Sequence, residues 1–276
     1  MEFNYLGEKI LNAKFESYPF KHLYIENFLS QEHLDLLNKD KQIKIDKQQD
    51  TKSLIQEIKS QGYEAIKFPG CTTSVSAYLD WYENNKIENL YNNGIVEAFG
   101  MAFHLSKIRN EKIQQLIEYL NSEKFHNILH QKFEITQPSR ITTRIQKYLS
   151  GYEISPHPDI RTKCLTYLIN INTEEQTEGM DIHTHLLKFK KKYNYVYKFW
   201  NENTNIDRCW VPWDWCSTEK LLNKNNSLVM FAPANDTLHA VKLDYDHLEL
   251  QRTQLYGNLW YLNKKKARES YYTDLI

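Results

Sequence analysis

The sequence is poor in the residues that define several specialised protein classes. Its 276 residues include 8 glycines, 7 prolines and 4 cysteines, which excludes collagen-like repeats, Pro/Gly-rich disorder and a disulfide-dense scaffold. Lysine plus arginine total 35, as do aspartate plus glutamate. The chain therefore lacks the excess positive charge with which nucleic-acid-binding proteins hold phosphate backbones. No apolar run reaches the roughly 18 residues of a membrane span, so we expect neither a nucleic-acid nor a membrane partner.

The amino terminus lacks another pattern, the basic start followed by an apolar run that is typical of a secretory signal. With few cysteines and no disulfide framework, the sequence predicts a protein of the reducing cytoplasm. It carries no signal for an oligomeric state.

Aromatic residues are plentiful instead: they make up 13% of the chain and include 19 tyrosines, a composition that favours strands. Short strand patterns separated by turn residues fill residues 137–263. We predict strands at 140–148, 154–159, 164–172, 180–189, 194–200, 207–213, 227–232, 238–243 and 252–262.

The first half of the chain has a different pattern. A strand is predicted within 18–28, Ser30 is a candidate helix N-cap, and apolar residues at helical spacing predict one helix over 111–133. Helical pattern also continues through 75–108. We expect a single domain, 1–276, in which 1–136 supports a β core at 137–263 and 179–224 forms an insertion or lid.

One short motif carries chemistry. His157 and Asp159 lie two apart in a predicted strand, so both side chains point the same way. An imidazole and a carboxylate are two of the three ligands in the facial triad of non-haem Fe(II) oxygenases. The best candidate for the third ligand, which must come from a distant segment, is His239.

These residues stand within an ordered series that resembles the 2-oxoglutarate/Fe(II)-dependent oxygenases, in particular the prolyl-4-hydroxylase-like branch. The series is Tyr148 and Gly151, His157 and Asp159, Ile169-Asn170, Gly179-Met180, Phe231, His239 and Arg252. The resemblance implies an α+β, mainly β fold, with a double-stranded β-helix (jelly-roll, cupin-like) core and an N-terminal helical layer. The chain departs from the branch at Met180, where a second glycine is usual, and at Arg252, where lysine is usual.

The resemblance also implies a set of cofactors and roles. His157, Asp159 and His239 would bind Fe(II), while 2-oxoglutarate and O2 would take its open positions as cosubstrates. Arg252 would bind the distal carboxylate of 2-oxoglutarate, a role that suits the planar fork of a guanidinium. Tyr148 and Gln254 are further candidate cosubstrate contacts.

Candidate substrate contacts follow from strand alternation and from a second histidine pair. Arg144 and Gln146 share a strand face with Tyr148, and Trp260 shares one with Arg252. His183 and His185 are a rival metal pair or part of a substrate pocket. The Trp-rich segment 207–216 is predicted to pack an inserted hairpin or lid, or to stack on a sugar or peptide.

The implied reaction is hydroxylation of an unactivated C–H with release of succinate and CO2. Asp159 favours it over halogenation, because halogenating members of the family usually lack this carboxylate. Desaturation, ring closure and epimerisation begin in the same way. The substrate can be a small molecule, a sugar or other glycan, or a peptidyl side chain. The alternatives are a non-catalytic jelly-roll binding module and a cupin-like metalloenzyme that does not use 2-oxoglutarate.

Overall fold

The computed structural model describes residues 2–68, 70–84, 100–204, 206 and 210–263. The described residues of the first half are mainly helical and include three short strands. Its elements are α1 (Asn4–Asn12), β1 (Leu23–Ile25), α2 (Gln31–Lys39), α3 (Thr51–Ser60), β2 (Tyr63–Ala65), α4 (Val75–Asn84), β3 (Ala102–Leu105), α5 (Glu111–Leu120) and α6 (Glu123–Phe133). None of the helices in the described residues is both long and apolar enough to cross a membrane.

The second half is mainly strand. Its elements are β4 (Ser139–Tyr148), β5 (Glu153–His157), β6 (Lys163–Asn170), β7 (Thr184–Phe189), α7 (Asn194–Glu202), β8 (Cys216–Leu222), β9 (Ser227–Phe231), β10 (His239–Lys242) and β11 (Arg252–Tyr261). The strands form a seven-stranded sheet in the order β1-β9-β6-β11-β4-β3-β2 and a four-stranded sheet in the order β5-β10-β7-β8. All the pairings between these strands are antiparallel. The predicted mixed fold, rich in strands, is confirmed.

The seven-stranded sheet has one apolar and one largely polar face. Ile145, Leu165, Tyr167, Leu255 and Leu259 alternate with polar neighbours and pack into one buried cluster with the helices of the first half. The opposite face carries Arg252 and Gln254, which pair across the sheet with Tyr148 and Gln146. The predicted sharing of one face by these side chains follows from this register.

The polar face looks towards the four-stranded sheet. At one end, Leu168 and Phe231 of the larger sheet form an apolar cluster with Leu186 and Leu222 of the smaller one. This cluster closes that end of the space between the sheets and leaves a chamber beside it.

Residues 194–200 form helix α7, so the predicted strand there is wrong. Val196 and Trp200, four residues apart, are buried in a cluster with Leu187 and Ala240 of the four-stranded sheet. A spacing of four places both side chains on one helix face, and this packing outweighs the strand propensity of the aromatic residues.

The predicted helix over 111–133 is two helices, α5 and α6. Asn121 ends α5, where its Nδ2 donates to the Ile117 carbonyl at 2.9 Å and its Oδ1 accepts from the Thr143 amide at 2.7 Å. Ser122 then caps α6 by accepting a hydrogen bond from the Phe125 amide. Asparagine and serine are favoured at such positions because their side chains satisfy unpaired backbone groups.

The observed bounds of several other helices and strands differ from the predicted ones. The helical pattern through 75–108 gives α4 and then strand β3, while residues 85–99 lie outside the described residues. The predicted strand within 18–28 is reduced to β1. Of the predicted strand 207–213, residues 207–209 lie outside the described part, and 210–213 lead into a short 3-10 turn at Trp213–Trp215.

Candidate metal centre

The two histidines of the predicted triad lie opposite each other on neighbouring strands. His157 ends β5, and His239, which begins β10, is its register partner. Their ring centroids are 4.5 Å apart. Asp159 follows two residues after His157, and one potential ligand atom from each of the three side chains lies within 4.8 Å of the others.

The backbone fixes the orientation of both imidazoles. His157 Nδ1 lies 2.8 Å from the Ser155 carbonyl oxygen, and His239 Nδ1 lies 3.1 Å from that of Thr237. A carbonyl only accepts, so each Nδ1 carries the hydrogen and donates. The lone pair is thereby left on Nε2, which is the arrangement that ligating histidines show in proteins.

Both imidazoles are held in the neutral form that binds metals. Burial, assisted by the neighbouring His239, lowers the pKa of His157 from its ordinary value of 6.5 to about 3. Burial also lowers the pKa of His239, although the Asp159 carboxylate opposes the shift. Desolvation disfavours the charged imidazolium, so the lone pairs remain available to a cation near neutral pH.

Both oxygens of Asp159 accept hydrogen bonds. Lys163 Nζ donates to Oδ1 at 2.6 Å, and Thr166 Oγ1 donates to Oδ2 at 2.5 Å. Oδ2 also lies 3.8 Å from His239 Nε2. Burial alone would raise the pKa of Asp159, but the charge and hydrogen bond of the Lys163 ammonium outweigh it and hold that pKa well below its ordinary value. The carboxylate is therefore ionised.

The triad opens into a chamber of about 100 Å³ between the two sheets. Its walls come from both sheets: Gln146, Tyr148, Lys163, Arg252, Gln254 and Tyr256 from the larger, and Ile154, His157, His239 and Val241 from the smaller. One end of the chamber is thus a potential metal site, and the opposite wall is polar.

Arg252 supplies an unpaired buried cation to this wall. The residue is 2% exposed, and its Nε has no hydrogen-bond partner among the residues that the structure describes. Its guanidinium carbon lies 4.6 Å from the centre of the Tyr148 ring, and within the described residues no carboxylate forms an ion pair with it. Burial lowers the pKa of Arg252, and the neighbouring tyrosines only partly oppose that shift. A buried charge without a counter-ion is costly, so the wall is suited to an anionic ligand.

The other predicted cosubstrate contacts also line the chamber. Tyr148 donates its hydroxyl hydrogen to Gln146 Oε1. Gln254 Nε2 donates to Asn170 Oδ1 at 2.6 Å. These bonds orient the two amides and the phenol on the same wall as Arg252.

The remaining substrate candidates do not line the chamber. Arg144 is exposed and lines a separate cavity beside His104. Trp260 donates from Nε1 to Thr142 Oγ1 at 3.0 Å and approaches the chamber only through Lys163, whose Nζ lies 5.5 Å from its ring.

The second histidine pair is buried elsewhere. His183 Nε2 donates to the Thr177 carbonyl at 2.6 Å. His185 Nε2 lies 2.8 Å from Asp181 Oδ1, and its ring packs edge-on against Trp213 at 5.2 Å. Within the described residues, His157, Asp159 and His239 are the one group of three or more such side chains close enough to share an ion.

Sequence reasoning missed Lys163 and Thr166, whereas alternation along the last strand placed Tyr256 on the same face as Arg252. Lys163 Nζ bridges Asp159 and the Tyr256 hydroxyl, which it approaches to 2.7 Å. Alternation could have found Thr166, which lies one residue from Leu165 and therefore on the opposite face. Strict alternation would place Lys163 with Leu165 on the apolar face. An irregularity in the pairing of β6 with β11 instead puts Lys163 opposite Trp260. Such a bulge re-aims a side chain and leaves no plain sequence signal.

Comparisons with known proteins complete the description of the site. No family model matches the sequence, and no curated protein does. Among solved structures, the chain is similar to a prolyl-4-hydroxylase from Pseudomonas putida, with 11% identity over 95% of this chain and 100% of that one and a TM-score of 0.45.

Two further structures are similar. One is a prolyl hydroxylase from Trichoplax adhaerens in complex with a hypoxia inducible factor oxygen degradation domain peptide fragment, with 11% identity, 94% and 89% coverage and a TM-score of 0.44. The other is the non-heme alpha ketoglutarate dependent epimerase SnoN from nogalamycin biosynthesis, with 8% identity, 93% and 82% coverage and a TM-score of 0.38. At this level of likeness, an activity must be argued from the site geometry alone.

The donor set fits a ferrous ion. Two neutral imidazoles and one carboxylate on a common side are the ligands of the non-haem iron facial triad, which leaves positions open for other molecules. The unpaired guanidinium lies in the same chamber, and a ligand with one group on the metal and a distant carboxylate would neutralise it.

Proposed function

We propose that this chain is an Fe(II)- and 2-oxoglutarate-dependent dioxygenase. The main support is that His157, Asp159 and His239 converge in one chamber. The same chamber contains the buried guanidinium of Arg252, which has no ion-pair partner among the described residues. A metal alone would account for the triad but not for the arginine. A 2-oxoglutarate molecule that reaches from the metal to Arg252 accounts for both.

Each wall residue has a definite task in this proposal. Arg252 binds the distal carboxylate, and the Tyr148 and Gln254 side chains beside it contact the cosubstrate. The backbone carbonyls of Ser155 and Thr237 keep the imidazole Nε2 atoms directed at the ion, and Lys163 and Thr166 hold Asp159. When bound, iron with 2-oxoglutarate supplies an oxidant for C–H bonds, with succinate and CO2 as coproducts.

The corresponding fold is a double-stranded β-helix, or jelly roll, formed by residues 137–263 of a single domain. Residues 1–136 support it by packing on the apolar face of the seven-stranded sheet. Within 179–224, β7 and β8 pair with each other in the four-stranded sheet. The inserted part is therefore the stretch between them, which packs on the back of that sheet.

Hydroxylation is the favoured outcome. The Asp159 carboxylate occupies the third ligand position, which is where a halogenating enzyme of this kind would need room for halide. Desaturation, ring closure and epimerisation share the same donor set and differ in how the substrate is held.

The proposal is tested by anaerobic titration of the metal-free protein with Fe(II), followed by 2-oxoglutarate. Calorimetry measures both binding steps, and succinate release is measured after O2 is added. We expect one Fe(II) per chain and 2-oxoglutarate binding that requires the metal. His239→Gln should weaken Fe(II) binding at least 100-fold. His183→Gln, which changes a buried histidine outside the chamber, should leave both affinities within about twofold.

Each alternative has its own outcome. A protein that binds Fe(II) tightly but 2-oxoglutarate not at all is the cupin-like metalloenzyme. A protein that binds neither is a jelly-roll binding module, and the proposal then fails. Binding of both with no succinate release, either without added substrate or across a panel of candidate substrates, would refute catalysis.

A further inference from the structure

A second cavity meets the metal centre from another side. Its volume is about 280 Å³, and its lining includes Asp159 and Lys163, which also line the chamber between the sheets. We call it the mouth cavity. Its remaining walls come from α7, through Tyr197 and Asn201, from the loop before β10, through Ala234 and Asn235, and from Arg161, Pro233 and Tyr261.

The walls of the mouth cavity are tied to one another. Arg161 Nε donates to the Ile206 carbonyl at 2.8 Å, and its Nη2 donates to the Trp200 carbonyl at 3.0 Å. Asn235 Nδ2 donates to Asn201 Oδ1 at 2.5 Å across the gap between the loop and α7. The inserted helix and the loop therefore form one continuous wall beside the triad.

The lining residues of the two cavities assign them to different ligands. The chamber of about 100 Å³ contains Arg252 and is taken by the cosubstrate in the proposed function. The mouth cavity is larger, does not include Arg252, and reaches Asp159 directly. A molecule bound there would approach the metal without displacing 2-oxoglutarate.

The charge of the mouth cavity selects the ligand class. Asp159 is the one carboxylate among its lining residues in the described part of the chain, and it is already hydrogen-bonded to Lys163. The other charged lining side chain is Arg161, and amide and phenol groups supply neutral hydrogen-bonding positions. A divalent cation at the triad would add positive charge next to the cavity. The lining would then carry a net positive charge, and a cleft of net positive charge attracts anionic ligands.

We propose that the mouth cavity binds the primary substrate and that this substrate is a small molecule bearing a carboxylate or an equivalent anionic group. The inference rests on the proposed function, because it takes the chamber as the cosubstrate site. It excludes cationic substrates such as a free lysine side chain, whose charge would face Arg161, Lys163 and the metal.

The test uses three probes of nearly equal shape: benzoate, benzamide and benzamidine carry negative, zero and positive charge. Each is titrated anaerobically into protein loaded with Fe(II) and 2-oxoglutarate, and the change in the visible absorption band of the loaded protein is measured. We expect benzoate to bind at least tenfold more tightly than benzamide and benzamidine to bind most weakly. 2-Oxoglutarate should remain bound throughout.

Two pairs of variants locate the binding. Ala234→Phe fills the mouth cavity and should weaken the binding of benzoate at least tenfold. Ala232 is an exposed residue of the same loop outside the lining, so Ala232→Phe should leave the affinity for benzoate unchanged. Asn235→Asp adds negative charge to the cavity and should weaken the binding of benzoate at least tenfold. Asn235→Leu, of similar size and uncharged, should affect benzoate and benzamide equally.

The outcomes separate this inference from the proposed function. Failure to bind Fe(II) or 2-oxoglutarate refutes the proposed function and the inference with it. Normal loading with no preference for benzoate over benzamide overturns the inference alone. So does benzoate that displaces 2-oxoglutarate, or benzoate binding that Ala234→Phe leaves intact.

Discussion

Two buried cations lie in the chamber, and they differ in what neutralises them. Lys163 is 8% exposed and is paired with Asp159 at 2.6 Å. Arg252 is more deeply buried, at 2% exposure, and its Nε lacks a hydrogen-bond partner. The cost of an unpaired buried charge is recovered only when an anion enters. Under the proposed function, Arg252 therefore lowers the stability of the protein until 2-oxoglutarate binds.

Arg252→Met tests this exchange of stability for affinity. Loss of two charge-assisted hydrogen bonds should raise the dissociation constant of 2-oxoglutarate about 10- to 100-fold. The affinity for Fe(II) should stay within twofold, because Arg252 is not one of the three ligands. The free energy of unfolding of the ligand-free protein should not fall, since an unneutralised charge is removed from the interior. Calorimetric titration and urea unfolding measure these quantities.

Arg144→Met is the matched control, because Arg144 shares a strand face with Tyr148 but is exposed and lies outside the chamber lining. It should bind 2-oxoglutarate like the unchanged protein. Equal weakening in both variants would mean that general loss of positive charge, and not the position of Arg252, governs cosubstrate binding.

The sequence was sufficient to choose the three residues of the triad. His-x-Asp spacing predicted that His157 and Asp159 lie together, although Asp159 lies in the segment after β5 and not in the predicted strand. The order of the motifs pointed to His239. Lys163 was out of reach for a physical reason. Its side chain changes face at a register irregularity in β6, and such irregularities depend on pairing with β11, which is not written in the local pattern.

Among the elements, β11 has the most constrained position, because it pairs with β4 on one side and β6 on the other. It carries Arg252 and Gln254 on the chamber face. On the opposite face, Gly257 lies against the buried ring of Tyr167, where an added Cβ would come within 1.9 Å of Cζ. The Tyr167 hydroxyl is hydrogen-bonded to Thr143 Oγ1, so the ring has little freedom to move away.

Gly257→Ala should therefore lower the free energy of unfolding by about 1–3 kcal/mol, as overpacking of a close-packed core does. Gly179→Ala is the control, because nothing lies within 4 Å of a Cβ added there, and it should stay within about 0.5 kcal/mol. Urea unfolding measures both. Combining Gly257→Ala with Tyr167→Leu should cost less than the sum of the two single changes, and strict additivity would contradict the proposed clash.

The elements also show where local patterns fail. The helical spacing across 111–133 was correct, yet the break at Asn121 and Ser122 depends on hydrogen bonds to Thr143 and Phe125 that a periodicity does not contain. In 194–200, the aromatic residues favoured a strand, but the back of the four-stranded sheet offered an apolar surface for Val196 and Trp200. Tertiary packing decided both cases.

At the scale of the whole molecule, the site exists because two sheets face each other. The three candidate metal ligands come from β5, β10 and the segment after β5, whereas the proposed anion-binding wall comes from β4 and β11. Neither sheet alone could bind both the metal ion and the anion. Anything that loosens the four-stranded sheet should therefore release the metal before the larger sheet, with its helical layer, unfolds.

Acid should loosen the four-stranded sheet, because four buried histidines lie on or beside it. Burial lowers the pKa of His157 to about 3 and that of His183 to about 4, and it lowers the pKa of His185 and His239 as well. Each group stays neutral when folded and takes up a proton near pH 6.5 when unfolded. The unfolded chain therefore binds more protons between these values, so stability is full above pH 6.5 and is lost as the pH falls towards 4.

The metal-free protein should accordingly lose up to about 1.4 kcal/mol of unfolding free energy per pH unit for each of His157 and His183 between pH 6.5 and 4.5, and the lowered pKa values of His185 and His239 add to the loss in the same direction. Urea unfolding of EDTA-treated protein at several pH values measures the slope. His183→Gln removes one titrating group outside the metal site and should reduce the slope by about one proton, with no effect on the slope above pH 7.5. A flat profile between pH 6.5 and 4.5, or a slope that His183→Gln leaves intact, would place the acid-sensitive part of the molecule outside the four-stranded sheet. A bound divalent cation should hold His157 and His239 unprotonated and shift the onset of the loss to lower pH, because protons and metal compete for the same nitrogen lone pairs.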